Sequence, residues 1–193
     1  MSLTEAVQAQ CRAQGIVATI LPATDARTGV LIDTGTECLP LFEYLAGATD
    51  DTEVREIMPA APETLTDAVR AVIEASDAVV IGPDNPARGI LSILDCAGMR
   101  DLLLDRFVIA VSPFGGGAAL DPKDAALMHA AGEKPTSPGV FRIYRDVIDV
   151  FVQDIHDPDE VEGSLRLDTR LLHDRQAESL AWDIMTVIRS AVS

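Results

Sequence analysis

Two loops in this sequence carry residue types that could hold a polar ligand. Residues 82–86 read Gly-Pro-Asp-Asn-Pro, and residues 112–117 read Ser-Pro-Phe-Gly-Gly-Gly. Asp and Asn side chains stabilise compact turns and can also face a ligand. Consecutive glycines let backbone amides approach a ligand without interference from a Cβ atom, and such amides can hold phosphate oxygens. Both loops are therefore candidates for ligand contact.

Each loop also has a plainer structural interpretation. Residues 82–86 would serve equally well as a strand-to-helix turn, although a helix beginning near Pro86 would favour an anion there. Residues 112–117 would serve as a flexible hinge, but ligand contact is favoured because both loops fall at the same predicted sheet edge. The second loop is not a Walker A loop, since no Gly-Lys-Ser/Thr follows it, and its glycine spacing does not match a dinucleotide fingerprint.

The pattern around these loops predicts an α/β fold with a layered, mostly parallel sheet flanked by helices. Short apolar, β-branched runs alternate with amphipathic segments, and a small β-hairpin near residues 30–40 is inserted in this plan. We expect the strands ending at Ile81 and Val111 to be parallel neighbours. Further strands are predicted at residues 16–21, 147–152 and 164–168, and helices at residues 4–14, 62–74, 121–131, 140–146 and 174–192, the last with Asp174 as its N-cap.

Ligands of open parallel sheets bind at the carboxyl ends of the strands, which places the functional site at the two loops. Thr24 and Asp25 also follow a predicted strand, although Asp25 could instead stabilise a turn. The sequence identifies no general base. The candidate ligand-binding residues are Gly82, Pro83, Asp84, Asn85, Pro86, Ser112, Pro113, Gly115, Gly116, Gly117, Thr24 and Asp25.

Composition narrows the classes of partner. The chain has 193 residues, which suits one domain over residues 1–193, and its net charge of −16 disfavours nucleic acid. No apolar run is long enough to span a membrane, and the first residues do not resemble a signal peptide, so we expect a cytoplasmic protein. Three widely spaced cysteines and three scattered histidines show no metal-ligand spacing, and the acidic segment 154–160 lacks an EF-hand pattern.

A series of short motifs, in order along nearly the whole chain, resembles the 2-phospho-L-lactate transferases of coenzyme F420 biosynthesis. The motifs are Leu-Pro-Ala-Thr-Asp at residues 21–25, Phe-Glu-Tyr at 42–44, Gly-Pro-Asp-Asn-Pro at 82–86, Ile-Leu at 93–94, Gly-Met-Arg-Asp at 98–101, Val-Ser-Pro-Phe-Gly-Gly-Gly at 111–117, the stretch from Gly-Val to Ile-Asp at 139–149, and Asp-Thr at 168–169.

The resemblance implies a Rossmann-like fold that corresponds to the later portion of the family's domain. It also implies transfer of a phospholactyl-type group from a guanosine-diphosphate-activated donor to the deazaflavin precursor of the coenzyme, with Mg²⁺. The implied partners are a nucleotide-linked or deazaflavin-like small molecule. A homodimer, and a separate chain that supplies the family's N-terminal phosphate loop, stay open at this point.

The sequence also departs from the family pattern. The family's Gly-Gly-x-Gly-Gly-Ala-Lys loop and its acidic metal ligands are not found in this chain. Asp84 and Gly89 stand where the family usually has Ser, Ala118 where Lys is usual, and Ile143 where His is usual. Asp84 and Ala118 make the site less cationic, which disfavours a polyphosphate. The expectation is an incomplete or diverged transferase; the alternatives are a noncatalytic ligand-binding or regulatory protein and a nucleotide-sugar binder of a related branch.

Overall fold

The main sheet contains four parallel strands in the order β4-β5-β6-β7. The computed structural model describes residues 1–26, 29–58, 64–115 and 121–192. The register pairs Ile81 of β4 with Ala110 of β5, and Val111 of β5 with Val152 of β6. The prediction that the strands ending at Ile81 and Val111 are parallel neighbours is confirmed. The strands are β4 Ala78–Ile81, β5 Phe107–Val111, β6 Val150–Asp154 and β7 Leu165–Leu167.

Helices cover both faces of this sheet, as the α/β prediction requires. Alternate residues of β5 point to opposite faces. Val108 and Ala110 lie in a core with side chains of α3, α4, α5 and α7, whereas Ile109 and Val111 pack in a second core with α8. The helices are α1 Leu3–Ala13, α2 Leu41–Gly47, α3 Asp67–Ala75, α4 Ile90–Leu94, α5 Met99–Leu104, α6 Pro122–Ala130, α7 Ser137–Tyr144 and α8 Asp174–Ala191, with a 3₁₀ turn at Pro86–Arg88.

The predicted hairpin is confirmed and belongs to a small antiparallel sheet. Strands β1 (Leu31–Asp33) and β2 (Cys38–Pro40) form the hairpin, and β3 (Glu56–Met58) pairs with the other side of β1. The third strand was not predicted, since its three residues follow a long polar segment. Ile32 of the small sheet is fully buried in a cluster that includes Leu127 of α6, which fixes the sheet beside the main one.

Two sequence-based predictions are wrong. Residues 16–21 form no strand, and Val17 is completely exposed. A strand needs a hydrogen-bonded neighbour, and an apolar run by itself does not provide one. The N-cap of α8 is His173, whose side chain accepts from the backbone N–H of Gln176, rather than Asp174, which is the first helical residue.

Other element boundaries shift by a few residues. Helix α7 begins at Ser137 because Thr136 caps it, and α3 begins after the cap Thr66. The predicted start of α3 at residues 62–63 lies outside the described residues. Within the part of the chain that the structure describes, no helix is both long enough and apolar enough to cross a membrane.

Candidate functional site

A cleft of about 440 Å³ opens at the carboxyl end of the main sheet, where the loops after β4, β5 and β6 meet. Both loops singled out in the sequence contribute to it, together with the segments that precede α6 and α7. Its lining residues are Pro83, Asp84, Asn85, Pro113, Phe114, Gly115, Asp121, Asp124, Pro135, Thr136, Asp157, Pro158 and Asp159.

The structure separates the predicted site residues into four groups, the last of which is Thr24 and Asp25. Pro83, Asp84, Asn85, Pro113 and Gly115 line the cleft. Three more belong to the same loops without lining it, namely Gly82, Pro86 and Ser112. Gly116 and Gly117 lie outside the described residues, so the glycine run stays a prediction.

Thr24 and Asp25 are not among the residues that line the cleft. Asp25 Oδ1 accepts a hydrogen bond from the backbone N–H of Thr4, 2.7 Å away, in the first turn of α1. Thr24 is buried, and its hydroxyl accepts from the backbone N–H of Ala26 at 3.2 Å. These contacts give both residues a structural role: Thr24 stabilises the local turn, whereas Asp25 contacts the first turn of α1.

Asn85 holds the first loop in place. Its side-chain oxygen accepts from the backbone N–H of Ala87 at 3.0 Å, and its amide nitrogen donates to the backbone oxygen and to Oδ1 of Asp124, at 3.0 and 3.1 Å. Asn85 is 4% exposed, so its amide is committed to protein partners. The segment that follows is a three-residue 3₁₀ turn, so the extended helix dipole expected near Pro86 is not formed there.

Ser112 anchors the second loop through a buried polar network. Its hydroxyl lies 2.6 Å from that of Ser137, and the Ser137 hydroxyl also donates to Asp157 Oδ2. Gln153 Nε2 donates to the same carboxylate oxygen at 3.1 Å. The network ties the loop after β5 to α7 and to β6. Sequence reasoning missed Ser137, Gln153 and Asp157; the available signal was a polar Gln inside an apolar strand.

Asp154, the last residue of β6, forms a second buried junction. Its Oδ1 accepts from the backbone N–H and Nδ1 of His156 at 2.8 and 3.1 Å, and its Oδ2 accepts from the backbone N–H and hydroxyl of Thr169 at 3.0 and 3.2 Å. Complete burial raises the pKa of Asp154, but the hydrogen bonds from His156 and Thr169 outweigh this and leave the pKa below its usual value. The ionised carboxylate therefore joins the ends of β6 and β7 behind Gly115.

The cleft itself is acidic. Among the described residues that line it there are five aspartates and no Lys or Arg. Two cations beside the lining residues Asp121 and Asp124 have protein partners: Arg88 Nε lies 2.7 Å from Asp124 Oδ1, and Lys123 Nζ donates to the backbone oxygen of Leu45 at 3.0 Å. Since Arg88 pairs with only two of these aspartates, an anion placed in this cleft would still meet a net negative charge.

The described residues do not fit a resident Mg²⁺ ion, the metal that the resemblance implies. Among them, no three His, Cys, Asp or Glu side chains are grouped so that they could hold a metal. The cleft aspartates are spread around the wall instead, and two of them, Asp124 and Asp157, are already occupied by protein donors. The chemistry proposed for this site therefore does not rely on a metal held by these residues.

Comparison with known proteins confirms the resemblance. The family model described as 2-phospho-L-lactate transferase CofD matches residues 1–191. A 2-phospho-L-lactate transferase from Methanocorpusculum labreanum is 40% identical over 192 residues, covering 96% of this chain and 63% of the relative. One from Methanospirillum hungatei is 36% identical over 193 residues, with the same coverage of each chain. The chain thus spans less than two thirds of the length of these relatives.

A solved structure supports the fold alone. A UPF0052-family protein from Bacillus halodurans has a TM-score of 0.51 and 9% sequence identity, covering 93% of this chain and 58% of that one. Together, the ordered motifs, the parallel sheet with its small antiparallel companion, and the match over residues 1–191 show that the chain belongs to the 2-phospho-L-lactate transferase CofD family.

Proposed function

We propose that this chain is the ligand-binding part of a transferase that moves a phospholactyl-type group from a guanosine-diphosphate-activated donor to the alcohol of a deazaflavin precursor. Family membership and relatives named 2-phospho-L-lactate transferase support this proposal. The observation that carries it is the cleft in which the loops after β4 and β5 meet at the carboxyl edge of the sheet. Parallel sheets place ligands at that edge.

The residues of the loops after β4 and β5 would contribute by positioning the substrates. Group transfer of this type depends chiefly on orientation and on stabilisation of charge, with little covalent chemistry for the protein to perform. Asn85 and Ser112 serve that purpose because their buried hydrogen bonds hold the two loops rigidly against α6 and α7. A Mg²⁺ ion that arrives with the phosphates of the donor would belong to the substrate.

A noncatalytic ligand-binding or regulatory protein is the second candidate. The acidic cleft is the specific observation in its favour, since five lining aspartates oppose a diphosphate. The two candidates differ in whether the cleft, once joined to the rest of the family's fold, supports turnover.

The purified chain is expected to show no transfer by itself. Its sequence contains neither the Gly-Gly-x-Gly-Gly-Ala-Lys loop nor the acidic metal ligands of the family pattern. The measurement is product formation from activated donor and deazaflavin acceptor with Mg²⁺, with the longer Methanocorpusculum labreanum relative as the positive control.

A second arm adds, as a separate polypeptide, the portion of that relative that this chain does not cover. Turnover that requires both polypeptides supports the proposed function. Robust turnover by the chain alone would show that the described cleft is a complete active site. No turnover in either arm, with no binding of donor or acceptor, would favour the noncatalytic candidate.

A further inference from the structure

Helix α8 has large apolar side chains on both of its faces. Its inner face packs Leu180, Ile184 and Ile188 against β5 and β6. Trp182 lies two residues from both Leu180 and Ile184, which places it on the opposite side of the helix. There Trp182 is 57% exposed, and Met185 is 42% exposed. The outer face of a surface helix ordinarily carries polar and charged residues, so this face of α8 has the character of a contact surface.

The outer face of α8 also follows the repeat of a coiled coil. Six exposed residues are spaced alternately by three and four positions, the spacing with which two helices pack along a common seam. Trp182 and Arg189 are neighbours in this row, since Arg189 Cζ lies 5.8 Å from the centre of the Trp182 ring. We call this row the outer stripe. Its residues are Arg175, Glu178, Trp182, Met185, Arg189 and Val192.

The positions that flank the outer stripe are small and uncharged at its centre. They are Ser179, Ala181 and Thr186, and all three are exposed. The Thr186 hydroxyl donates to the backbone oxygen of Trp182 at 2.9 Å, so it has a partner inside α8. Charged residues at these flanking positions commonly select the partner of a coiled coil. Small flanks instead leave room for a second helix to approach the outer stripe closely.

The outer stripe is complementary to itself when a second α8 lies antiparallel to it. If a twofold axis passes midway between Trp182 and Met185, Trp182 of one copy faces Met185 of the other, and Glu178 faces Arg189. The first pair joins a thioether to an aromatic ring, and the second joins opposite charges. A parallel arrangement would instead place Glu178 against Glu178 and Arg189 against Arg189. Charge complementarity therefore selects the antiparallel pairing.

The charge of the outer stripe differs from that of the rest of the chain. The whole chain has a net charge of −16, so two copies repel each other over most of their surfaces. The outer stripe has two arginines and one glutamate, a net charge of +1. The additional arginine, Arg175, faces Val192 of the other copy, where its aliphatic stem can pack while its guanidinium stays in water. A second copy thus meets the least repulsion along this stripe.

We propose that two copies of this chain associate through the outer stripe, with their α8 helices antiparallel about a twofold axis. Helix α8 has 18 residues and is about 27 Å long. A contact between two helices of this length falls at the low end of interface sizes, so we expect a dissociation constant on the order of 10 μM. The interface is independent of the proposed function, because its residues are not among the described residues that line the cleft.

The first test measures association of the purified chain against its concentration. Sedimentation velocity from about 1 to 200 μM should show a change from monomer to dimer. Trp182 is the only tryptophan of the chain, so its emission maximum should shift to shorter wavelength over the same range as the ring leaves water. A monomer at every concentration would overturn the proposal. A dimer with unchanged tryptophan emission would overturn it too, because association would then use another surface.

Trp182→Ala tests the centre of the interface. We expect it to weaken dimerisation about a hundredfold or more, since tryptophans at interface centres often dominate affinity and each dimer contains this contact twice. Trp182 is exposed in the single chain, so the circular dichroism spectrum at about 1 μM, where the chain is monomeric, should match that of the wild type. An unchanged dissociation constant would contradict the role of the outer stripe.

A charge exchange tests the antiparallel pairing. Glu178→Arg and Arg189→Glu should each weaken dimerisation about tenfold, because each places like charges opposite each other at two places in the dimer. The double variant Glu178→Arg/Arg189→Glu should recover to within about threefold of the wild type. Asp183→Arg is the control for Glu178→Arg, since Asp183 is exposed on α8 but outside the outer stripe; it should not weaken dimerisation. No recovery in the double variant would exclude the antiparallel pairing.

The remaining portion of the longer relatives is the competing occupant of the outer stripe. The separate polypeptide of the transfer assay tests this occupant directly. If the chain stays monomeric by itself, and Trp182→Ala abolishes its binding to that polypeptide, the outer stripe contacts that portion and the proposal is wrong. If that polypeptide binds the wild type and Trp182→Ala equally well, while only the wild type dimerises, the outer stripe serves a second copy.

Discussion

Replacing Gly139 by alanine is expected to destabilise the protein by about 3 kcal/mol, which is the upper part of the usual range for overpacking. A Cβ atom at this position would overlap the backbone oxygen of Lys134 and lie 3.1 Å from its carbonyl carbon. Neither atom belongs to a flexible side chain that could swing away. The backbone before α7 would have to move, and Pro135 and Thr136 in that segment line the cleft.

The sign of this effect is informative, because alanine normally favours a helix interior over glycine by up to about 1 kcal/mol. Gly47, the last residue of α2, is a matched control, since a Cβ atom there would meet nothing within 4 Å. Urea unfolding followed by circular dichroism should show a loss for Gly139→Ala and none for Gly47→Ala. Equal stabilities for the two variants would mean that the close approach of Lys134 to α7 is not maintained in solution.

Asp154→Asn is expected to cost about 3 kcal/mol at pH 7, as is typical when a buried, fully hydrogen-bonded carboxylate loses its acceptor capacity. The carboxylate accepts from two groups of His156 and two of Thr169, while the amide can offer only one oxygen. The amide nitrogen would face the backbone N–H of one of these residues, so two donors would meet in a buried site. Asp146→Asn, at an exposed aspartate, serves as the control.

The difference in unfolding free energy between wild type and Asp154→Asn should depend on pH, in the direction set by the pKa shift of Asp154. Because the folded-state pKa of Asp154 is lowered, its stabilising contribution is fully present above the unfolded-state pKa, near 4, and is lost as pH falls through the folded-state value. The asparagine variant does not titrate at this position. The gap in unfolding free energy between wild type and variant should therefore narrow below about pH 4. A gap that stays constant down to pH 2 would contradict the lowered pKa.

Much of the fold could be predicted because its strands are short, apolar and β-branched, and because helical periodicity separates them. Residues 107–111 and 78–81 show this pattern clearly, and both are strands of the main sheet. Residues 16–21 show a similar composition but are not a strand. Their composition does not reveal whether another strand lies beside them, since strand pairing is decided by residues far away in the sequence.

The loops of the site could be predicted, but the tasks of their residues could not. Asp84 and Asn85 are adjacent and chemically similar, yet Asp84 is exposed at the cleft and Asn85 is buried against Asp124. Ser112 was predicted to contact a ligand, whereas in the structure its hydroxyl is hydrogen-bonded to the hydroxyl of Ser137. The aspartates at the start of α6 and after β6 line the same cleft as Asp84 only because the chain returns to the same edge of the sheet. Contacts at such separations are fixed by tertiary packing.

The measurement that tests the placement of the site most directly is calorimetric titration of GDP into the wild type and Asp84→Ser, each with and without Mg²⁺. A carboxylate about 4 Å from a phosphate costs on the order of 4 kcal/mol at an effective dielectric constant near 20. Because Asp84 is exposed, solvent and salt reduce this repulsion to roughly 1–2 kcal/mol, about a tenfold change in affinity.

We expect weak binding of GDP to the wild type and binding about tenfold tighter to Asp84→Ser without metal. Mg²⁺ should narrow the difference, because it can bridge the carboxylate and the phosphates. Asp146→Asn removes the same charge at an exposed aspartate beside Arg145 and should leave the affinity unchanged. Equal affinities of wild type and Asp84→Ser under all conditions would mean that Asp84 does not face the ligand, and would contradict the placement of the site in this cleft.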